Sequence, residues 1–153
     1  MSGSLLIHAT AVAIDTAAGP RAVLIRGPSG SGKSDLGLRL IDAGARLVAD
    51  DQSELQRRGE LIVVRSPLAI AALIEVRGLG IVQVESLAEA PLALIADLLP
   101  PETIERLPAR ASERLLGVDL PRLAVAPFEA SAAAKVALAV RALTGPGLPR
   151  LTD

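Results

Sequence analysis

Eight consecutive residues, Gly27-Pro28-Ser29-Gly30-Ser31-Gly32-Lys33-Ser34, constrain this chain more than any others. They fit G-x-x-x-x-G-K-[ST], the pattern of a loop whose backbone N–H groups close around a phosphate chain. Such a loop must leave a buried strand and enter a helix. The apolar run Ala22-Val23-Leu24-Ile25 supplies the strand. Leu36, Leu38, Leu40 and Ile41 lie among polar residues in a stretch that predicts a helix over 33–43, ending near Gly44. The helix N-terminus adds roughly half a positive charge where phosphates would sit. Lys33 would reach the β- and γ-phosphates, and Ser34 would place a hydroxyl on Mg²⁺. The alternative is a glycine-rich turn with an incidental Gly-Lys-Ser. The use of lysine argues against it: Lys33 and Lys135 are the only two, and every other basic residue apart from His8 is arginine. A sequence that avoids lysine has kept one where a compact ammonium is needed.

The 153 residues suit one domain with a substantial core. We expect the catalytic unit over 1–144 and a disordered proline-rich tail over 145–153. Half the residues are hydrophobic, almost all of them Ala, Leu, Val and Ile. Phe128 is the single aromatic, so successive bases of a nucleic-acid strand would find no row of stacking platforms. A net charge of −1 offers no pull toward nucleic acid or anionic lipid. With no cysteine there is no disulfide, thiolate metal site or cysteine nucleophile. No apolar run approaches membrane-spanning length and no signal peptide is visible, so the expected partners exclude nucleic acid and membrane. A site for ATP and Mg²⁺ belongs in the cytosol, and a cytoplasmic location is expected.

Along the chain, residues 4–14 predict a strand, Asp15 to Pro20 a turn, and 21–26 a returning strand. After the helix, Ala45 to Ala49 predicts a strand, and 53–57 with 60–65 a hairpin around Arg58-Gly59. Ser66 to Ile74 is apolar and of open type. Glu75 to Ile81 reads as an irregular loop, and 81–85 and 92–97 as short strands. Pro100 to Gly117 reads as a helical turn or two, 122–126 as a last strand and 129–143 as a C-terminal helix. The class is α/β, a phosphate-loop nucleotide-binding domain with a mixed sheet and flanking helices.

A phosphate loop names a nucleotide and leaves the reaction open. Leu47-Val48-Ala49-Asp50-Asp51 is an apolar strand ending in two carboxylates. Adjacent strand residues point to opposite faces, so both serve one site only if the chain leaves the strand near Asp50. One could then bind Mg²⁺ while the other accepts a proton from an attacking hydroxyl. The alternative is a solvated pair at a strand end. Glu75 and Arg77 face the same way in an extended segment, as a carboxylate for Mg²⁺ beside a guanidinium for phosphate, or equally as a surface ion pair. His8, the only histidine, reads either as a half-buried structural group or as a switchable donor near the phosphates. Arg106 reads as a phosphate ligand or a surface residue.

These pieces, in this order, resemble the HPr kinase/phosphorylase family in its C-terminal catalytic domain. The resemblance rests on His8, on Gly27 to Leu36, on Leu40 through Asp51, and on Glu75-Val76-Arg77-Gly78-Leu79-Gly80-Ile81, an E-x-R-G-x-G-I signature. It is close over 21–85 and loose from there to 143. It implies transfer of the γ-phosphoryl group of ATP to a serine of HPr, the phosphocarrier of the sugar phosphotransferase system, and hence regulation of carbon metabolism. It implies a fold like the nucleotide domain of phosphoenolpyruvate carboxykinase. The position of Asp50 is implied as the base. Ser34 and Glu75 match Mg²⁺ positions, with Asp51 assisting. Lys33, His8 and, through Glu105-Arg106-Leu107, Arg106 match other catalytic positions, and Arg77 would stabilise transferred charge. Typical members carry an N-terminal domain, so the chain looks like a short form. Full-length members are hexamers, which leaves a homo-oligomer open. Where the family has P-V-R-P-G-R-N, tied to dephosphorylation, this chain has Ala126-Pro127-Phe128-Glu129-Ala130-Ser131-Ala132. Both arginines are gone, and the reverse activity is expected to be weak or absent. Two rival readings stand beside the protein kinase: a small-molecule kinase on the same loop, and a nucleotide-sensing module without turnover.

Overall fold

A computed structural model describes residues 3–67 and 72–152. The part of Ser66–Ile74 over 68–71, whose type the sequence leaves open, lies outside the described residues. The elements run β1 (Ser4–Ile7), β2 (Ala9–Thr16), β3 (Gly19–Arg26), α1 (Lys33–Asp42), β4 (Arg46–Ala49), β5 (Ser53–Arg58), β6 (Leu61–Arg65), β7 (Leu73–Val76), β8 (Gly80–Gln83), β9 (Glu89–Leu98), β10 (Ala111–Leu115), β11 (Val118–Val125) and α2 (Ala132–Thr144). A single 3-10 turn, Pro101–Thr103, follows β9. No helix of the described residues is long and apolar enough to cross a membrane.

Nine of the strands form one mixed sheet in the order β1-β5-β6-β9-β3-β2-β4, with β11 and then β10 branching from β9. The long strand β9 makes the branch. One edge runs parallel to β3, while the other pairs first with β6 through Glu89–Pro91 and then, parallel, with β11 through Ile95–Leu98. A strand paired on both edges and covered on both faces is a continuous apolar run, as Leu92 to Ala96 is. The same logic governs β2 and β3. Val12, Ile14, Val23 and Ile25 face a core closed by α1, α2 and Ile74 of β7. Ala11, Ala13, Ala22 and Leu24 face a second core with Leu55, Ile62 and Ile95.

Several expectations are corrected. The 4–14 stretch is two strands broken at His8, because β1 pairs with β5 while β2 pairs with β3 and β4. Glu75 to Ile81 is a hairpin rather than a loop: Glu75 sits opposite Ile81 and Val76 opposite Gly80. Its turn needs Gly78 and Gly80 at φ +84° and +124°, which a side chain would strain. Of the helical turn or two expected in Pro100–Gly117, one 3-10 turn forms at Pro101–Thr103, while Ala111–Leu115 is a strand. Leu116 and Gly117 have φ +50° and +80° between the paired Leu115 and Val118. Two successive positive φ values make the tight turn whose twist joins antiparallel strands.

A charge cluster holds the end of β3, one residue before the phosphate loop. Arg26 donates to both oxygens of Asp97, at 2.7 and 2.9 Å, and to both of Glu113, at 2.7 and 2.8 Å. Arg122 adds a bond to Glu113 at 3.2 Å. The hydrogen-bonded Arg26 guanidinium drives the Glu113 carboxyl down to about 2, and the two carboxylates raise Arg26 above the usual arginine range. The cluster ties β3, β9, β10 and β11 together beneath the loop.

Candidate functional site

The loop Gly27–Ser34 connects the end of β3 to α1. Gly30 and Gly32 have φ +79° and +100°, a backbone other residues rarely adopt. A Cβ at Gly27 would lie 2.5 Å from Ser31 Oγ, so the loop curls too tightly there for any side chain. Pro28 and Ser29 are exposed at its rim, and Ser31 N–H donates to Pro28 O at 3.1 Å. Lys33 is the first helical residue and is 6% exposed. Its ammonium donates to Gly27 O at 2.8 Å and Pro28 O at 3.1 Å, so it lies across the loop. Ser34 Oγ points the other way and donates to Asp50 Oδ1 at 2.7 Å.

Asp50 is the hub. Thr10 Oγ1 also donates to Oδ1, at 3.0 Å, and the Glu75 backbone N–H donates to Oδ2 at 3.2 Å. Strand β4 has ended at Ala49, and Gln52 N–H closes a turn onto Asp50 O at 2.7 Å. Asp51 takes φ +67°, a left-handed conformation that aspartate tolerates better than most residues. That single residue sends the two neighbouring carboxylates apart. Asp51 N–H bonds Thr10 Oγ1 at 3.3 Å, and its carboxylate meets His8 Nε2 at 3.1 Å. Both partners of that contact are open to solvent, at 48% and 65% exposure.

A cleft of about 490 Å³ opens beside the hub, lined by Asp50, Asp51, Gln52, Glu75 and Ile81 among others. The hairpin β7–β8 forms its wall, so the E-x-R-G-x-G-I signature is the element that brings Glu75 to the two aspartates. Arg77 is exposed in the hairpin turn. Arg106 is exposed between the 3-10 turn and β10, and makes no hydrogen bond or ion pair with a described residue. The structure thus gathers Ser34, Asp50, Asp51, Glu75 and His8 and leaves Arg77 and Arg106 at the surface. Sequence reasoning missed Thr10. The signal was one hydroxyl in an otherwise apolar strand, Ala9-Thr10-Ala11-Val12, two residues after His8.

The donor set suits Mg²⁺ with a polyphosphate. Ser34 Oγ, the Asp50 carboxylate and the Glu75 and Asp51 carboxylates are hard oxygen donors around one cleft. No group of three or more acidic or histidine side chains among the described residues is tight enough to cage an ion unaided. Mg²⁺ does not need such a cage, because it keeps waters and takes one or two carboxylates plus substrate phosphates.

Comparison with known proteins identifies the family. The family model described as HPr Serine kinase C-terminal domain matches residues 2–140. An HPr kinase/phosphorylase of Halalkalibacterium halodurans is 41% identical over 115 residues, covering 67% of this chain and 37% of that protein. One from Listeria welshimeri is 50% identical over 66 residues, covering 42% of this chain and 21% of its own length. The chain therefore spans well under half the length of these relatives. Among solved structures, the Hpr(Ser) kinase/phosphatase from Coxiella burnetii superposes with a TM-score of 0.73 at 27% identity, covering 91% of this chain and 87% of that one.

Proposed function

This chain belongs to the HPr serine kinase C-terminal domain family, and from that premise we propose that it moves the terminal phosphoryl group of ATP to a serine hydroxyl of HPr. The observation that carries the reading is the hub: a phosphate-loop hydroxyl, Ser34, bonded to Asp50, with Asp51 and His8 one residue further out. Bound Mg²⁺-ATP would supply the phosphoryl group and neutralise its charge. Gly27–Ser34 holds the phosphates through backbone N–H groups, and Lys33 neutralises their terminal oxygens.

The geometry favours a division of labour opposite to the one the resemblance implied. Asp50 accepts from Ser34, Thr10 and the Glu75 N–H, which supports a place for it on the metal side with Ser34 and Glu75. Asp51 is exposed, faces His8 and is free to meet an incoming hydroxyl. We assign it as the base. The serine proton passes to Asp51 as the serine oxygen–phosphorus bond forms and the bond to the departing ADP oxygen breaks. His8 orients that carboxylate. Arg77 and Arg106 are surface cations that would reach the phosphoryl group or HPr only in the complex. The reaction belongs in the cytoplasm with HPr and places the protein in control of sugar uptake through the phosphotransferase system. Phosphorolysis should be weak, because Ala126–Ala132 lacks the arginines that would hold inorganic phosphate.

The test is phosphoryl transfer from Mg²⁺-ATP to purified HPr, read as a mass shift of one phosphate on a serine. Bound ATP without transfer to HPr would send the search to another acceptor.

A further inference from the structure

Against the phosphate loop lies a second cleft, of about 470 Å³, that shares no lining residue with the carboxylate cleft. Its wall includes Pro28 and Ser31 of the loop itself, Leu98 at the end of β9, Pro101 after it, and Pro127 and Phe128 before α2. Its size falls in the range of small-molecule sites, roughly 300–1,000 Å³. The lining is almost wholly apolar. Phe128, the only aromatic residue of the chain, is 75% exposed at its edge. A hydrophobic ring left in solvent in so aliphatic a protein calls for a ligand with a flat face.

The ring is held in place. Arg39 of α1 donates to Pro127 O and, at 3.3 Å, to Glu129 O, on either side of Phe128. Arg39 is itself paired with Asp35 one turn earlier at 3.1 Å. A Cβ on Gly32 would come within 3.1 Å of the Phe128 ring, so the ring abuts the phosphate loop directly. On the loop-side wall, Ser31 Oγ is buried and has no hydrogen-bond partner among the described residues. The cleft thus shares a wall with the phosphate site and offers a fixed aromatic face. It also occupies the segment where the resembled family carries its two arginines, so phosphate-binding charge has given way to apolar surface.

We infer that this cleft takes the purine base of the nucleotide whose phosphates lie on Gly27–Ser34, with the base against Phe128. This rests on the ATP reading above and goes further, since it assigns donor specificity to a segment outside the loop. One flat ring suits one base and does not make the platform row that a nucleic-acid strand needs.

The experiment measures the affinity of Mg²⁺-ATP and of Mg²⁺-tripolyphosphate, by titration calorimetry, for the whole chain and for Phe128→Ala. An exposed ring can be removed without unfolding the protein. The expected result is that ATP binds the wild type more tightly than tripolyphosphate, and that Phe128→Ala weakens ATP about tenfold while leaving tripolyphosphate unchanged. Phe128→Trp, in a chain with no other tryptophan, should report ATP and not tripolyphosphate by its fluorescence. Equal binding of the two ligands, or a Phe128→Ala effect on both or on neither, would overturn the base site and leave the phosphate reading intact. A loss confined to HPr affinity would also overturn it, by making the ring a protein contact. Failure of the wild type to bind either ligand would bring down the phosphate reading and this inference with it.

Discussion

Two clusters of acid lie near the phosphate loop, and they are built on opposite rules. Asp97 and Glu113 are matched by Arg26 and Arg122, two negative charges against two positive, with Arg26 bidentate to each carboxylate and Arg122 adding one bond to Glu113. Asp50 and Asp51 meet the hydroxyls of Ser34 and Thr10, one backbone N–H and a histidine that is charged only when protonated. No arginine or lysine among the described residues pairs with either of them. The first cluster is electrically complete and can only hold strands together. The second carries uncompensated negative charge beside a phosphate loop, which is what a site must do if its cation arrives with the substrate. Neutrality therefore separates a structural acid pair from a functional one better than the count of carboxylates does.

The largest expected effects come from removing charge at the incomplete cluster. Asp51→Asn should lower turnover on HPr by about 10²–10⁴ and leave ATP affinity within a few-fold, the loss typical of a removed general base. Asp50→Asn should also lower turnover, but with a raised Mg²⁺ requirement, since that carboxylate sits on Ser34. Measuring the Mg²⁺ dependence of transfer for both variants separates the roles. If Asp50→Asn leaves the Mg²⁺ dependence unchanged while Asp51→Asn shifts it, the division proposed here is reversed.

Much of this was legible because motif and hydrophobic pattern coincide. The run Ala22–Ile25, the loop and α1 are each indicated twice, once by periodicity and once by the phosphate-loop spacing. The Asp50-Asp51 pair was visible, and so was the need for the chain to turn there. The separation of the two carboxylates was not, because it depends on one φ value at Asp51 and on Thr10, forty positions earlier. Strand β10 was hidden for a different reason. Ala111-Ser112-Glu113-Arg114-Leu115 has ordinary helix formers, and its strand state comes from tertiary partners: Glu113 is drawn to Arg26, and Leu116-Gly117 turns the chain back. The E-x-R-G-x-G-I hairpin was missed because its glycines suggest irregularity, when they serve a tight turn.

At the complete cluster the prediction is one of stability. Arg26→Met keeps much of the side-chain volume but leaves Asp97 and Glu113 facing each other with only Arg122 nearby. It should cost about 2–3 kcal/mol, the value of hydrogen bonds to charged groups left unmade, read as a lower urea midpoint. An unchanged midpoint would mean that the cluster is a solvated surface network.

The same cluster predicts a pH dependence. Glu113 has a folded pKa of about 2, below its ordinary value of 4.5. A depressed carboxyl contributes stability that is fully present above the unfolded value and is lost as pH falls through the folded one. Unfolding free energy should therefore decline between about pH 4.5 and 2 by about 1–2 kcal/mol from this group, after discounting for its partial exposure. Glu113→Gln should remove that part of the slope. A slope that survives the substitution unchanged would assign it to other carboxylates.

The smallest effect tests the link between β2 and the hub. Thr10 is fully buried, donates to Asp50 Oδ1 and accepts from Asp51 N–H, so it holds one carboxylate directly and the other through its backbone. Its methyl group packs close to α1: a Cβ on Gly37 would lie 3.1 Å from it. Thr10→Val preserves that packing and deletes only the hydroxyl. The loss should be about 1 kcal/mol in stability, with an orphaned Asp51 N–H and one fewer donor on Asp50. Turnover should fall several-fold with little change in ATP affinity, because the nucleotide is held by the loop while the hydroxyl positions carboxylates. Thr10→Ser, which restores the donor and forfeits the methyl, should recover turnover more than stability. If serine recovers stability and leaves turnover low, Thr10 acts on the site through helix packing rather than through its hydrogen bonds.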